Sequence, residues 1–79
     1  MNIKVTLRGS LQKKFGYWKK KDFEVPDNCN IREAMIAIDL HPDKIDNLGM
    51  VVINGCKTTM DAKLSPGDEL KIWSRVTGG

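Results

Sequence analysis

The chain has 79 residues, of which 41% are hydrophobic, and 13 basic against 10 acidic side chains give it a net charge of +3. A chain of this length buries only about 60% of its unfolded surface, so we expect residues 1–79 to form one domain with one core. These limits exclude an interior cleft large enough for a cofactor, and the apolar runs fall short of the roughly 20 residues of a membrane span.

The N-terminus and the cysteines exclude two further classes of protein. Residues 1–7 alternate like a strand and lack the apolar block of a signal peptide, so we expect a cytoplasmic protein with no membrane partner. Cys29 and Cys56 have only His41 as a further soft ligand, which excludes a four-ligand zinc site or a CxxC pair. We expect both thiols to be structural or incidental, because a free Cys usually behaves as a small hydrophobe. A disulfide between them stays open as the alternative, although it would be unusual in a reducing compartment.

The first third of the chain predicts two strands. Apolar and polar side chains alternate from Ile3 to Leu7, which indicates a half-buried first strand. Residues 11–21 lack clean periodicity, and alternation resumes at Phe23 and Val25. We therefore expect a hairpin with a long basic tip.

One short amphipathic helix is predicted next. Asn30 is followed three positions later by Glu33, which resembles a capping box and sets the helix start near Ile31. His41-Pro42 disfavours helical geometry before the proline. Apolar residues at helical spacing form one stripe, made of Ile31, Ala34, Met35 and Ile38.

The second half predicts three more strands. Residues 50–53 form the most strongly β-forming run and should be a central strand, whereas Ile45 and Leu48 should fill the core from an irregular connection. Asn54-Gly55 predicts a tight turn into a short strand at 56–59, and alternation from Glu69 predicts the last strand. The order β-β-α-β-β-β indicates a two-layer α+β fold, with a mixed sheet of four to five strands packed on one main helix.

Conventional catalysis has little support in the sequence. The single His41 lies at a helix end with no placed nucleophile, and no GxGxxG or P-loop pattern is present. Turn chemistry and solvation account for the carboxylates of Asp39, Asp43 and Asp46. We therefore expect a protein that is not an enzyme and that binds neither a metal nor a cofactor.

The C-terminal residues are the most unusual part of the sequence. Beyond the last strand the chain reads Val76-Thr77 and ends on Gly78-Gly79, and we expect residues 76–79 to form a flexible tail. A Gly-Gly terminus has no side chain, so it can extend through a narrow channel and bring its α-carboxylate to a reactive group. Two terminal glycines also arise by chance, so the surrounding pattern decides their weight.

That pattern resembles the ThiS/MoaD family of sulfur carrier proteins, which have the β-grasp, ubiquitin-like fold. The similarity extends over the whole chain and is most specific at residues 51–55, 67–70 and 76–79, which read VVING, GDEL and VTGG. At Ser74 and Arg75 the sequence departs from the molybdopterin-synthase type, which usually has two prolines there and thus a stiff tail base.

The resemblance implies a function for the tail, with Gly79 as the reacting residue. An E1-like enzyme would adenylate its carboxylate with ATP and magnesium, and a sulfur donor would then convert it to a thiocarboxylate. Val76, Thr77 and Gly78 would be the tail residues that the partner enzyme recognises as it positions the Gly79 carboxylate. A free monomeric carrier would donate the sulfur to an acceptor enzyme or synthase, in biosynthesis of a cofactor such as thiamine or molybdopterin or in tRNA thiolation.

A docking face for these partners follows if the first and last strands are neighbours. Their outward residues would then share one basic sheet face with a single aromatic anchor, a composition typical of interface hot spots. These residues are Lys4, Arg8, Lys71, Trp73 and Arg75. The simpler alternative is that Trp73 only covers the edge of the sheet.

Two other functions remain open from sequence alone. The same adenylated Gly79 could be passed to a lysine of a target protein, as in ubiquitin-like modifiers. A less favoured alternative is nucleic-acid binding through the lysines of residues 13–21, with three aromatic side chains available to stack on bases. The aromatic residues are Phe15, Tyr17 and Trp18.

Overall fold

The computed structural model describes residues 1–75, which form five strands, two α-helices and one short 3-10 helix. The strands are β1 (Asn2–Arg8), β2 (Lys21–Glu24), β3 (Leu48–Ile53), β4 (Cys56–Thr58) and β5 (Glu69–Ser74). The helices are α1 (Leu11–Phe15) and α2 (Ile31–Ala37), and the 3-10 helix covers Pro42–Lys44. Within residues 1–75 no helix has the length and apolar character needed to cross a membrane.

All five strands belong to one mixed sheet in the order β2-β1-β5-β3-β4. β1 and β5 pair in parallel, and the other neighbours are antiparallel. The predicted α+β fold with one main helix and a mixed sheet is therefore confirmed. The central position belongs to β5, and the predicted central strand, β3, lies beside it and is paired on both sides.

The hydrophobic core lies between one face of this sheet and α2. The strand residues of the core cluster are 0 to 3% exposed, and the predicted helix stripe supplies Ile31, Ala34 and Met35 at 0%. The helix begins at the predicted capping box, in which Asn30 Oδ1 accepts from the Glu33 N–H and Glu33 Oε1 accepts from the Asn30 N–H. Such a box satisfies donors that the first helical turn leaves unpaired.

The structure corrects the prediction for residues 11–21. These residues do not form a simple hairpin tip, because Leu11 is 1% exposed and begins the short helix α1. Leu11 and Phe15 are four residues apart and therefore lie on one helix face, from which both pack against the core. The Leu7 N–H then donates to the Trp18 carbonyl at 3.0 Å, so the returning chain is tied to the edge of β1.

A smaller correction concerns the connection before β3. Ile45 fills the core as predicted and is 6% exposed. Leu48, however, is the first residue of β3 and pairs with Ser74, so it does not lie in an irregular connection. Cross-strand pairing extends β3 by two residues beyond the apolar run that predicted it.

The Asn54-Gly55 turn also organises the entry to the central strand. Both residues have positive φ, 50° and 83°, as a tight turn between β3 and β4 requires. The Asn54 side chain accepts from the Glu69 N–H and donates to Asp68 Oδ1, both at 2.9 Å. Two of the sequence segments that carry the family resemblance are thus in direct contact.

Candidate functional site at the end of the central strand

The parallel pairing of β1 and β5 brings their C-terminal ends to the same edge of the sheet. Arg8 is paired with Trp73 at that edge. Trp73 is followed directly by Ser74 and Arg75. The predicted tail residues, Val76, Thr77, Gly78 and Gly79, lie outside the described residues 1–75. The site is therefore built from the sheet that leads to them.

The outer face of the sheet carries four of the five predicted docking residues. Lys4, Arg8, Lys71 and Trp73 occupy positions that alternate with the buried residues of β1 and β5, so they share the face that points away from α2. Lys71 and Trp73 are half-buried, whereas Lys4 and Arg8 are exposed. Arg75 follows the last residue of β5 and is exposed.

The outer face is less basic than the sequence predicted. Lys4 Nζ forms an ion pair of 2.7 Å with Asp22 on β2, and this hydrogen bond, with the charge of the carboxylate, raises the pKa of Lys4. Glu69, paired in register with Lys4, lies 3.6 Å from Lys20 Nζ. Among residues 1–75, the predicted docking residues of this face that form no ion pair are Arg8 and Lys71, toward the end where the chain leaves the sheet.

Val52 forms an apolar centre on the same face. It pairs with Lys71 on β5 and Lys57 on β4, and it is 7% exposed although it lies outside the core cluster. Sequence reasoning did not identify Val52 as a site residue. The available signal was the pair Val51-Val52, since one of two consecutive residues in an interior strand must face outward.

A set of hydrogen bonds, here called the exit collar, holds the chain as it leaves β5. The Ser10 N–H donates to Ser74 Oγ at 3.0 Å, and the Arg75 N–H donates to the Asn47 carbonyl. The residues of the collar are Ser10, Asn47, Ser74 and Arg75, which form these bonds, and Gly49, whose backbone lies close to Ser74 and Arg75.

Side chains complete this collar. Asn47 Nδ2 donates to Ser10 Oγ, which joins the two loops that flank the exit. Arg75 Nη2 donates to the Asp46 carbonyl at 2.9 Å. The two positions where the resembled family usually has prolines are thus held here by hydrogen bonds from neighbouring loops.

Gly49, the second residue of β3, lets this strand approach the exit closely. It lies where the register between β3 and β5 shifts, and a Cβ atom there would stand 2.8 Å from the Arg75 nitrogen and from the Ser74 carbonyl carbon and oxygen. Real Cβ atoms do not approach backbone so closely. Only glycine fits at this point of the collar.

Other reactive groups in the described part of the chain lie apart from this exit. Cys29 is buried, which raises the pKa of its thiol, and Cys56 is exposed; both are free. His41 Nε2 and Asp39 Oδ1 are 2.9 Å apart on the surface. Residues 1–75 contain no cluster of three His, Cys, Asp or Glu side chains that could hold a metal ion.

A surface cavity of about 320 Å³ lies at the opposite end of the sheet, where β1 and β5 begin. Its lining residues are Met1, Asp27, Asn28, Leu64, Ser65 and Pro66. The cavity is separated from the exit collar by the length of β1 and β5, so it is not part of this site.

Comparisons with known proteins identify the fold. No protein-family model and no curated protein matches the sequence. SAMP1 from Haloferax volcanii superposes with a TM-score of 0.75 at 20% identity, over 100% of both chains. A putative molybdopterin converting factor, subunit 1, from Pyrococcus furiosus gives 0.72 at 17% identity, over 96% of this chain and 99% of its own.

A second structure, of small archaeal modifier protein 1 from H. volcanii, gives a TM-score of 0.72 at 18% identity over 95% of this chain and 98% of its own. All three are small chains that this protein matches along nearly its full length. The predicted β-grasp, ubiquitin-like fold is therefore confirmed, and the resemblance to carriers of the ThiS/MoaD type holds at the level of the fold.

Proposed function

We propose that this protein is a sulfur carrier whose Gly79 carboxylate is activated by an E1-like enzyme. The observation that carries the proposal is the exit collar: hydrogen bonds hold the last residue of the central strand of a β-grasp sheet and the residue after it, four residues before Gly79. The structural neighbours, a molybdopterin converting factor subunit and a small archaeal modifier, support this assignment.

The proposed chemistry needs no catalytic group on the carrier. The Gly79 carboxylate attacks the α-phosphate of ATP, which the partner enzyme holds with magnesium, and pyrophosphate leaves. A sulfide-equivalent donor then adds to the acyl carbon, and AMP departs with the electron pair of the acyl C–O bond. The resulting thiocarboxylate is a better sulfur donor than the carboxylate, and the acceptor enzyme or synthase determines the pathway that receives the sulfur.

The outer face is the proposed docking surface. Trp73 and Val52 supply apolar area, and Arg8 and Lys71 surround it with positive charge at the end of the sheet nearest the tail. Interfaces concentrate their binding energy in such aromatic and arginine anchors. Lys4 has a smaller role in this proposal, because Asp22 already neutralises it, and Arg75 supports the tail base through the Asp46 carbonyl.

The test uses the purified chain and the E1-like enzyme of the same host. We expect the carrier to be a free monomer and both proteins to act in the cytoplasm. ATP–pyrophosphate exchange should require Gly79, and intact mass should increase by the exchange of one oxygen for sulfur. Deletion of Gly79 should abolish exchange without changing the thermal unfolding midpoint, because residues 1–75 contain the described sheet and core. Exchange at an undiminished rate by the deletion variant would exclude the proposal.

Protein modification is the second candidate. It is supported by the structural similarity to SAMP1, a small archaeal modifier protein. It requires the same activated Gly79, but the acyl group passes to a lysine amine instead of to sulfur. Digestion of host proteins should then yield lysines bearing a Gly-Gly remnant. Sulfur transfer and modification give different products and are distinguished by mass.

The positions of the aromatic rings argue against nucleic-acid binding. The rings of Trp18 and Phe23 pack against each other with centroids 4.9 Å apart, and Phe15 packs against the core. Of the three rings proposed for base stacking, only Tyr17 is exposed, at 77%. Trp18 packs inward against the core, so Tyr17 alone of the three offers an open ring face.

A further inference from the structure

The net positive charge of the chain resides in residues 11–21. Five of the 13 basic residues fall there, so the remainder of the chain has eight basic against ten acidic side chains and is net negative. The five are Lys13, Lys14, Lys19, Lys20 and Lys21. The segment is therefore a basic region on an otherwise slightly acidic protein.

Acidic side chains of the described residues neutralise little of this charge. Lys20 lies 3.6 Å from Glu69, whereas within residues 1–75 Lys13, Lys14 and Lys19 form no ion pair. Lys21 Nζ lies 5.0 Å from the centroid of the Trp18 ring, a cation–π contact that keeps its charge. Most of the positive charge thus faces solvent.

The backbone that carries these lysines is held in place. Leu11 anchors α1 in the core, and the chain returns along β1 through bonds from the Leu7 N–H to the Trp18 carbonyl and from the Lys20 N–H to Thr6 Oγ1. A surface with a fixed backbone loses little conformational entropy when a partner binds. The segment is therefore better suited to docking than a loop that must first become ordered.

Tyr17 is the exposed aromatic residue of this surface. It is 77% exposed and lies between Lys14 and Lys19 along the chain, while its neighbour Trp18 packs inward. A tyrosine offers a large contact area at a small entropic cost, and such residues are enriched at interface hot spots. We call the exposed set Lys13, Lys14, Tyr17 and Lys19 the basic platform.

The basic platform begins beside the exit collar. Ser10, immediately before α1, donates to Ser74 Oγ, so α1 starts next to the point where the chain leaves β5. A protein that holds the tail is therefore close enough to contact α1 at the same time. Simultaneous contact at two linked sites increases affinity through effective concentration.

We propose that the basic platform docks an acidic surface of the enzyme that engages the tail. The partner is a protein surface rich in Asp and Glu, complementary to a patch of lysines that carries the excess charge of the chain. A single-stranded nucleic acid is disfavoured, because the rings of Trp18 and Phe15 are not available for stacking. The choice of the tail-engaging enzyme as partner rests on the proposed function.

The first test uses poly-L-glutamate as the probe and the full-length chain labelled with ¹⁵N. Addition of the probe should shift the backbone amides of residues 13–19 in a salt-sensitive manner. The Lys13→Glu/Lys19→Glu variant should bind about tenfold more weakly, because two surface charge contacts become repulsive. The matched control, Lys44→Glu/Lys63→Glu, changes net charge equally outside the platform and should bind within about twofold of the wild type.

Tyr17→Ala should weaken poly-L-glutamate binding more than Tyr17→Phe, since the ring supplies the contact area. Three outcomes would overturn the proposal: shifts centred outside residues 11–21, equal losses in the two charge-reversal variants, or tighter binding of oligothymidylate than of poly-L-glutamate. The first two are read from the poly-L-glutamate titrations, and the third from a parallel titration with oligothymidylate under the same conditions.

The second test separates this proposal from the proposed function. With the host E1-like enzyme, Lys13→Glu/Lys19→Glu should raise the KM for the carrier in ATP–pyrophosphate exchange and leave kcat unchanged. Deletion of Gly79 should abolish exchange but retain poly-L-glutamate binding. Loss of exchange dependence on Gly79 would overturn the function alone, whereas an unchanged KM in the charge-reversal variant would overturn the docking partner alone.

Discussion

The carbonyl oxygen of Asn47 accepts a hydrogen bond from the backbone N–H of Arg75, one residue beyond the central strand. The side chain of Asn47 donates to Ser10 Oγ, so this one residue links the loop before β3 to the turn after β1. Both loops thereby fix the direction in which the chain leaves β5. The exit is defined by long-range contacts that no local sequence motif announces.

Asn47→Ala should slow activation more than it destabilises the fold. The change removes the solvent-exposed hydrogen bond from the half-buried Asn47 to Ser10 Oγ, so we expect a loss of about 0.5–1 kcal/mol in the free energy of unfolding. We also expect a lower kcat in ATP–pyrophosphate exchange. Asn2→Ala, at an exposed position at the start of β1, serves as the control, and equal exchange rates in the two variants would contradict a positioning role.

Gly49→Ala should destabilise the protein by about 1–3 kcal/mol, because the new Cβ would overlap backbone atoms of Ser74 and Arg75 that cannot rotate away. Urea denaturation measures the change. A surface substitution remote from the collar, Asp61→Ala, should stay within about 0.5 kcal/mol of the wild type. Wild-type stability in Gly49→Ala would show that the start of β3 can move away from the exit.

Replacement of the two tryptophans by alanine should affect different properties, stability for Trp18 and partner binding for Trp73. Trp18→Ala should cost about 2–3 kcal/mol of unfolding free energy, because Trp18 packs on the core and on Phe23. Trp73→Ala, on the outer face, should instead weaken binding to the activating enzyme with a smaller loss of stability. Denaturation and calorimetric binding measure the two effects, and undiminished binding by Trp73→Ala would exclude the outer face as the docking surface.

The two thiols should differ in reactivity. Iodoacetamide should modify exposed Cys56 in the native protein and spare Cys29, which is buried and whose thiol pKa is raised by that burial. Cys56→Ser should remove native labelling, and urea should make Cys29 reactive. Rapid native labelling of Cys29 would contradict its burial.

The raised pKa of Cys29 also implies that the free energy of unfolding depends on pH. Its pKa in the folded state lies above that in the unfolded chain, so its contribution is complete below the unfolded value and is lost as pH rises through the folded pKa. Stability should therefore decline from about pH 8.5 upward. Cys29→Ala should show a smaller decline over this range in urea titrations, and an identical pH profile would contradict the assignment.

Features set by neighbouring residues were predictable from the sequence. The Asn30 and Glu33 capping box, the apolar stripe of α2 and the Asn54-Gly55 turn each depend on spacings of one to seven residues, and all three are present. The succession of strands along the chain was also predictable, because each strand has an alternating or continuous β-forming pattern and is bounded by turn residues. The tail residues that carry the proposed chemistry stay a prediction from sequence.

Features set by strand register were not predictable. Asp22 and Glu69 became part of the outer face only through pairing with Lys4, and that pairing depends on residues far apart in the chain. Helix α1 was missed because five residues give too short a pattern, although the Leu11 and Phe15 spacing was available. The collar was missed for the same reason as the outer-face acids.

The central position of β5 has a consequence for the timing of folding. Residues 69–74 follow all other strands in the sequence, yet they separate β1 from β3, so neither of those strands finds its inner neighbour until β5 has been synthesised. Such distant pairings form late and slowly. Closure of the sheet and formation of the exit collar are then one event, so we expect a chain that still lacks residues 69–74 to have neither.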